Sequence, residues 1–139
     1  AVRAESERHV KLGVGGIREV ELLTQVLQLR HGRRRAGLRQ RGTMAALQAL
    51  ARGGLLAAGD HQTVARAYVF LRDVENKLQV VSNTQVHALP LDPEGLRACS
   101  LRLGYQDRDG LPASEAFLAD YRRHTAAVHE VFRAVMGND

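Results

Sequence analysis

A chain of 139 residues, 45% of them hydrophobic, is sized for one domain with a single buried core and needs no covalent staples. Its one cysteine, Cys99, rules out an internal disulfide and fits a reducing, cytoplasmic setting, while no apolar run approaches the ~20 residues that span a bilayer and the start lacks the pattern of a signal peptide. The net charge of +5 is lopsided, with ten Lys/Arg against four Asp/Glu in residues 1–42 and a nearly neutral remainder, so an anionic partner belongs at the amino-terminal end.

In chain order, residues 1–10 are charged and lack helical periodicity, and Lys11-Leu12-Gly13-Val14-Gly15-Gly16 then runs into an amphipathic segment. Glycine admits close approach by a ligand or another chain, and a helix start presents unpaired N–H groups that suit an anion. The spacing is not the dinucleotide fingerprint, because the third glycine comes two residues early. Nor is it a Walker loop, because no Gly-Lys-Ser/Thr follows. A tight turn leading into a helix has the same spacing. The first helix is predicted from about Gly16 to His31, with Gly32 as its stop. Ile17, Val20, Leu22, Leu23, Val26, Leu27 and Leu29 form a wide apolar arc. The remaining stripe, Arg18, Glu21, Thr24, Gln25 and Gln28, is poorer in charge than an ordinary solvent face, which suits a cleft or another domain. Glu19 falls inside the apolar arc, where a first-turn carboxylate is expected to point past the bundle end and favour the helix dipole.

Arg33-Arg34-Arg35 reads as a solvated interhelical loop, with no interleaved aromatics for base stacking. A second helix runs from Thr43, as cap, to Arg52, and Gly53-Gly54 closes it. The third is long, from Asp60 as cap to about Thr84. Val64, Ala67, Tyr68, Phe70, Leu71, Val74, Leu78 and Val81 form its apolar face, and Glu75 projects from the middle of it. A buried carboxylate needs a cationic or multi-donor partner, for which Arg72 and Arg18 are the candidates. The alternative, and the preferred reading of Glu75 on residue chemistry, is a structural ion pair fixing helix register. His87, just past this helix, is either a loop anchor or a group lining a cleft. Asp92-Pro93 opens a fourth helix that ends at Gly104. Asp107-Arg108-Asp109 has the composition of a magnesium-holding pair, but it lies in the loop 105–112 and reads as solvated. The last helix, about Ala113 to Met136, buries Phe117, Tyr121, Val128, Phe132 and Val135, with His124 at its edge as a structural histidine. The six histidines lack metal-ligand spacing. With no alternating strand pattern, the fold class is all-α, an antiparallel bundle of about five helices.

The segment KLGVGGIREVELLTQVLQLRHG resembles the "KxGxGGIR(D/E)IEF…Q…QL…G" motif of the glutamine synthetase adenylyltransferase family, bifunctional enzymes that add AMP to a tyrosine of glutamine synthetase and remove it. A looser form of the motif occurs in the uridylyltransferases of the nitrogen-signalling protein PII. AYVFLRDVENKLQVVSNTQVHALP (67–90) is similar to "AYxFLRxLENxLQ…QTHxLP", and FLADYRRHTAAVHEVFRAVM to the closing "F…L…H…VHxxF" helix. Three blocks in the family's order cover most of the chain. The third block and the His-x-Leu-Pro ending look more like the amino-terminal, adenylyl-removing half. Two positions depart: Val14 stands where the family usually has a charged residue, commonly arginine, and Leu22 where it has phenylalanine.

The resemblance implies that residues 1–12 are the tail of a preceding nucleotidyltransferase domain and residues 13–139 a helical domain completing its cleft. The catalytic and metal-binding carboxylates would lie upstream, with none in this chain, and magnesium (Mg2+) and ATP or ADP would serve the parent enzyme without firm binding here. Lys11, Gly13, Gly15, Gly16, Arg18, Glu19 and Glu21 would lie near nucleotide or phosphate, supported by Gln25, Arg72, Glu75, Asn76, Gln79 and His87. Implied partners are glutamine synthetase, PII and other domains of the same polypeptide, with no membrane and no nucleic acid. Alone, the chain would be inert. A rival reading is a regulatory module relaying PII or glutamine signals between catalytic halves.

Overall fold

The computed structural model describes residues 8–31, 42–82 and 87–137, with side chains of the third helix described through residue 78. The expectations placed on Gly32, on Arg33-Arg34-Arg35 and on the side chains of Gln79 and Val81 lie outside the described residues. Five helices follow one another: α1 Ile17–His31, α2 Thr43–Arg52, α3 Ala58–Ser82, α4 Pro93–Arg102 and α5 Ala113–Gly137. Among the described residues there is no strand, only isolated bridges between His9 and Ala88 and between Arg108 and Leu111. The all-α expectation holds.

The ends of these helices follow local chemistry where a side chain can reach, and differ where it cannot. Asp92 caps α4 as expected, accepting from the Gly95 N–H at 2.8 Å, with Pro93 in the first turn. Thr43 does not cap α2: the flanking residue is Gly42, and no side chain bonds to the free N–H groups. Asp60 is not a cap either, because α3 begins two residues earlier, at Ala58, leaving Asp60 as a first-turn acid that favours the helix dipole. Asp109 and Gly110 both have positive φ, 52° and 79°, and turn the chain tightly between Arg108 and Leu111.

Two buried clusters fix the packing. Val20, Leu23 and Leu27 of α1 meet Val64 and Ala67 of α3, Val128 and Val131 of α5, and Leu47 and Leu50 of α2. The second joins Ile17, Leu71, Val74, Leu78, Phe117 and Tyr121 to Leu96 and Cys99 of α4. Chain direction follows from these memberships. As α1 runs from 17 to 27, its neighbours on α3 run from 78 back to 64 and those on α5 from 117 up to 131. So α3 is antiparallel to both other long helices, and α2 and α4 pack at its two ends. Each fully buried Leu, Ile, Val or Phe contributes about 1.5–3 kcal/mol.

The apolar arc of α1 is narrower than its sequence suggests. Leu29 is 79% exposed, and Thr24, assigned to the polar stripe, is buried at 2%, its hydroxyl donating to the Val20 carbonyl at 2.7 Å. That internal bond satisfies the hydroxyl and lets Thr24 sit as a core residue. On α5, Val131 is buried while Phe132 and Val135 are only partly so, which rotates the predicted stripe slightly.

Candidate functional site

Residues 8–16 fold as a cap on the end of the bundle. Val10 is fully buried in the second cluster. Its N–H donates to the His87 carbonyl at 2.6 Å, the Leu89 N–H donates to the Arg8 carbonyl at 2.9 Å, and the Arg8 guanidinium donates to the Pro90 carbonyl at 2.8 Å. This pairing clamps the glycine-rich motif onto the His-x-Leu-Pro segment, so the first two family blocks meet at one end of the molecule. Nothing in their sequence spacing shows that contact.

The same turn consumes the helix start. The N–H groups of Ile17 and Arg18 donate to the carbonyls of Val10 and Lys11 at 3.0 and 2.9 Å, and those of Gly16 and Glu19 to Gly13 and Gly16. The sequence suggested free N–H groups for an anion here; instead carbonyls fill them. An anion at this end must be met by side chains, and Lys11 and Arg18 are both exposed. Arg18 lies 3.7 Å from Glu21 in an exposed pair with little energetic weight. It does not partner Glu75.

The close-approach role of the glycines turns inward. Gly15 has φ +71°, and a Cβ there would lie 1.8 Å from the Thr125 carbonyl oxygen of α5. At Gly16 a Cβ would lie 2.6 Å from the Val10 carbonyl oxygen. Both positions are bare because backbone presses against backbone.

Glu75 is 7% exposed and both its oxygens are engaged. Oε1 accepts from Arg72 at 3.1 Å and Oε2 lies 3.0 Å from Nδ1 of His87. An ionised carboxylate only accepts, so that imidazole nitrogen carries the proton. The His87 ring stacks on His9 at 6.0 Å between centroids, and His9 Nδ1 accepts from the Leu12 N–H at 2.9 Å, which places its proton on Nε2. Arg72, Glu75, His87 and His9 therefore form one chain of contacts leading to the motif loop. His87 is an anchor for the His87–Pro90 segment, and His9 is a member that sequence reasoning missed, lying in a stretch without periodicity.

Glu19 does not point past the bundle end. Its Oε1 lies 2.9 Å from Nδ1 of His129 on α5, and its side chain is only 16% exposed. Two helices that run side by side bring the pair together across 110 residues of sequence. Gln25 and Asn76 are exposed on α1 and α3.

Away from this end, Asp107 accepts two bonds from Arg97, at 2.9 and 3.0 Å, and one from the Ala113 N–H at 2.8 Å, opening α5. The Arg97 bonds hold its carboxyl at about 2. Asp107 is thus a loop tie, half exposed but committed, and Asp109 belongs to the adjoining turn. Tyr105 donates to Asp120 at 2.6 Å, and burial with that bond raises the phenol well above its ordinary range. His124 stacks on Phe70 at 4.5 Å, and burial lowers its pKa. Among the described residues no three His, Cys, Asp or Glu side chains converge to hold a metal ion, and no helix is long and apolar enough to cross a membrane.

Comparison with known proteins decides the family. Residues 2–136 match the family described as GlnD PII-uridylyltransferase. The chain belongs to that family. Curated relatives carry the name bifunctional glutamine synthetase adenylyltransferase/adenylyl-removing enzyme. The protein of Stenotrophomonas maltophilia K279a is 42% identical over 114 residues, covering 82% of this chain and 12% of the relative. That of Bordetella pertussis is 41% identical over 129 residues, covering 93% and 13%, and that of Xanthomonas campestris pv. campestris B100 is 43% identical over 132 residues, covering 91% and 14%. The resemblance read from the three sequence blocks is borne out. The chain spans 12 to 14% of the length of these relatives.

Proposed function

We propose that this chain is the helical domain of a bifunctional enzyme that adenylylates and deadenylylates glutamine synthetase, and that it closes one wall of the cleft in the adenylyl-removing half. One observation carries the reading: the glycine-rich motif and the His-x-Leu-Pro block, far apart in sequence, are clamped together at one end by the pairing of residues 8–10 with 87–89, leaving Lys11 and Arg18 exposed beside that junction. Similarity over most of the chain to relatives named bifunctional glutamine synthetase adenylyltransferase/adenylyl-removing enzyme supports the enzyme, and the His-x-Leu-Pro ending favours the removing half.

On this reading, catalysis belongs to an upstream nucleotidyltransferase domain of the same polypeptide, which hands over to the bundle before the capping residues 8–16. Its carboxylates would hold magnesium, whose charge stabilises phosphoryl oxygens when bound. Lys11 and Arg18 offer positive charge to the phosphate of the nucleotide or of the attacking phosphate, and Glu21 restrains Arg18. Glu75, Arg72 and His87 hold the motif loop in register, so they act as positioning groups. ATP or ADP is bound by the whole enzyme, in the cytoplasm, with this chain inert alone.

Changing Arg18 to alanine in the full-length enzyme should cut phosphate-dependent AMP removal from adenylylated glutamine synthetase at least tenfold, an ordinary loss for one charge acting on a transition state. An unchanged rate removes Arg18 from the cleft. The regulatory alternative, a relay for PII or glutamine signals, instead predicts altered effector response with the unregulated rate intact, and the same assay with and without effectors separates the two.

A further inference from the structure

Among the described residues, one face of α5 has no helix packed on it. From Leu118 to Ala134, residues at helical spacing line a groove of about 970 Å³, together with Arg8 and with Val14 of the glycine loop. The sixteen steps from Leu118 to Ala134, at about 1.5 Å rise each, make the groove about 24 Å long, or between four and five helical turns. That is an elongated slot rather than a small-molecule pocket. Leu118, Tyr121, Ala126 and Ala134 give its lining an apolar or small component, and Val14 is half exposed. Its charged lining is cationic in sum, with Arg8, Arg122 and Arg133 against a single carboxylate, Glu130. Arg122 and Arg133 are exposed and enter no ion pair among the described residues, while His129 is engaged with Glu19.

We propose that this groove seats an acidic amphipathic helix contributed by another part of the same, longer polypeptide. The proposal rests on the reading of this chain as one domain of a larger enzyme. Charge complementarity selects an acidic occupant, since the lining carries three arginines and one acid. Length selects a helix lying along α5 with apolar anchors at i, i+3 or i+4, and i+7. Ala126 and Ala134 let its backbone come close. Arg122 and Arg133 lie three helical turns apart on α5, so the occupant carries carboxylates at about the same separation, roughly 16 Å. A source within the polypeptide is favoured because the chain accounts for only 12 to 14% of its relatives' length, and because Arg8, on the segment that enters the bundle, lines the groove.

The test uses the full-length enzyme carrying Ala126→Cys, with maleimide labelling at position 126 read by peptide mass spectrometry. An occupied groove slows that labelling at least tenfold relative to the same variant carrying Arg122→Glu and Arg133→Glu, which expels an acidic helix. A photo-crosslinker in place of Ala126 should then yield an intramolecular adduct to an acidic helical segment outside these 139 residues. Equal labelling rates without an adduct show an empty groove and overturn the proposal. An adduct to a second copy, or to glutamine synthetase or another separate protein, puts the occupant in trans and overturns it too. Neither readout is a catalytic rate, so failure here is distinct from failure of the Arg18 experiment.

Discussion

Substituting Gly15 by alanine tests what the central glycine of the motif is for. Two costs add at this position. The backbone has φ +71°, and an L-residue there costs about 1–2 kcal/mol. The new methyl would also lie 1.8 Å from the Thr125 carbonyl oxygen, a backbone atom of α5 that cannot swing aside as a side chain does. Forcing that much overlap into a packed region costs about 1–3 kcal/mol. Gly54 supplies the control, because its φ is +74° and a Cβ there meets nothing within 4 Å. Alanine restricts the unfolded chain alike at both sites, so that contribution cancels between them. Gly15→Ala should therefore be less stable than Gly54→Ala by about 2 kcal/mol, roughly 30-fold in the folded-to-unfolded ratio. Urea unfolding followed by far-ultraviolet circular dichroism measures both variants, with m expected to stay constant. Equal losses for the two substitutions would refute the packing role. An unchanged stability for Gly15→Ala, together with lost activity in the longer enzyme, would instead return this glycine to ligand contact.

Glu75→Ala should cost about 2–3 kcal/mol in the same unfolding assay, because it strips a buried carboxylate from Arg72 and His87; Glu75→Gln, which keeps one acceptor, should cost less, and the reverse order would argue against both bonds. His124 has a folded-state pKa below its ordinary 6.5, caused first by burial and then by Arg123, with Asp120 opposing. Its contribution to stability is therefore complete above 6.5 and is lost as pH falls below it. His124→Phe, which preserves the stack on Phe70, should flatten the slope of stability between about pH 7 and 5, and a slope that persists would place the titration elsewhere. Asp107, held at about 2 by Arg97 and the Ala113 N–H against an ordinary 3.8, stabilises the fold above 3.8 and gives that up as pH falls toward 2. Asp107→Asn should remove this acid-limb dependence while leaving the helix content at pH 7 intact, as read by circular dichroism.

Helical segments and their order are legible in the sequence, because apolar spacing and local breakers act within a turn or two of chain. Asp92-Pro93 opening a helix and Gly104 following its end are effects of this short range. The three blocks also carried the family, since block order survives in linear sequence. Periodicity could mark Glu19 and Glu75 as anomalous carboxylates inside apolar faces, yet it could not say what satisfied them. For Glu75 one partner, Arg72, lay on its own helix within reach of helical spacing, while the other, His87, arrived only with the pairing of residues 8–10 and 87–89. Glu19 found His129 only when α1 and α5 came to lie side by side. The meaning of Gly15 was likewise out of reach, because a glycine that admits a phosphate and one that admits a helix carbonyl have the same spacing. Only tertiary packing shows that Thr125 lies against the turn, and two backbones approach this closely only where neither carries a Cβ at the point of contact.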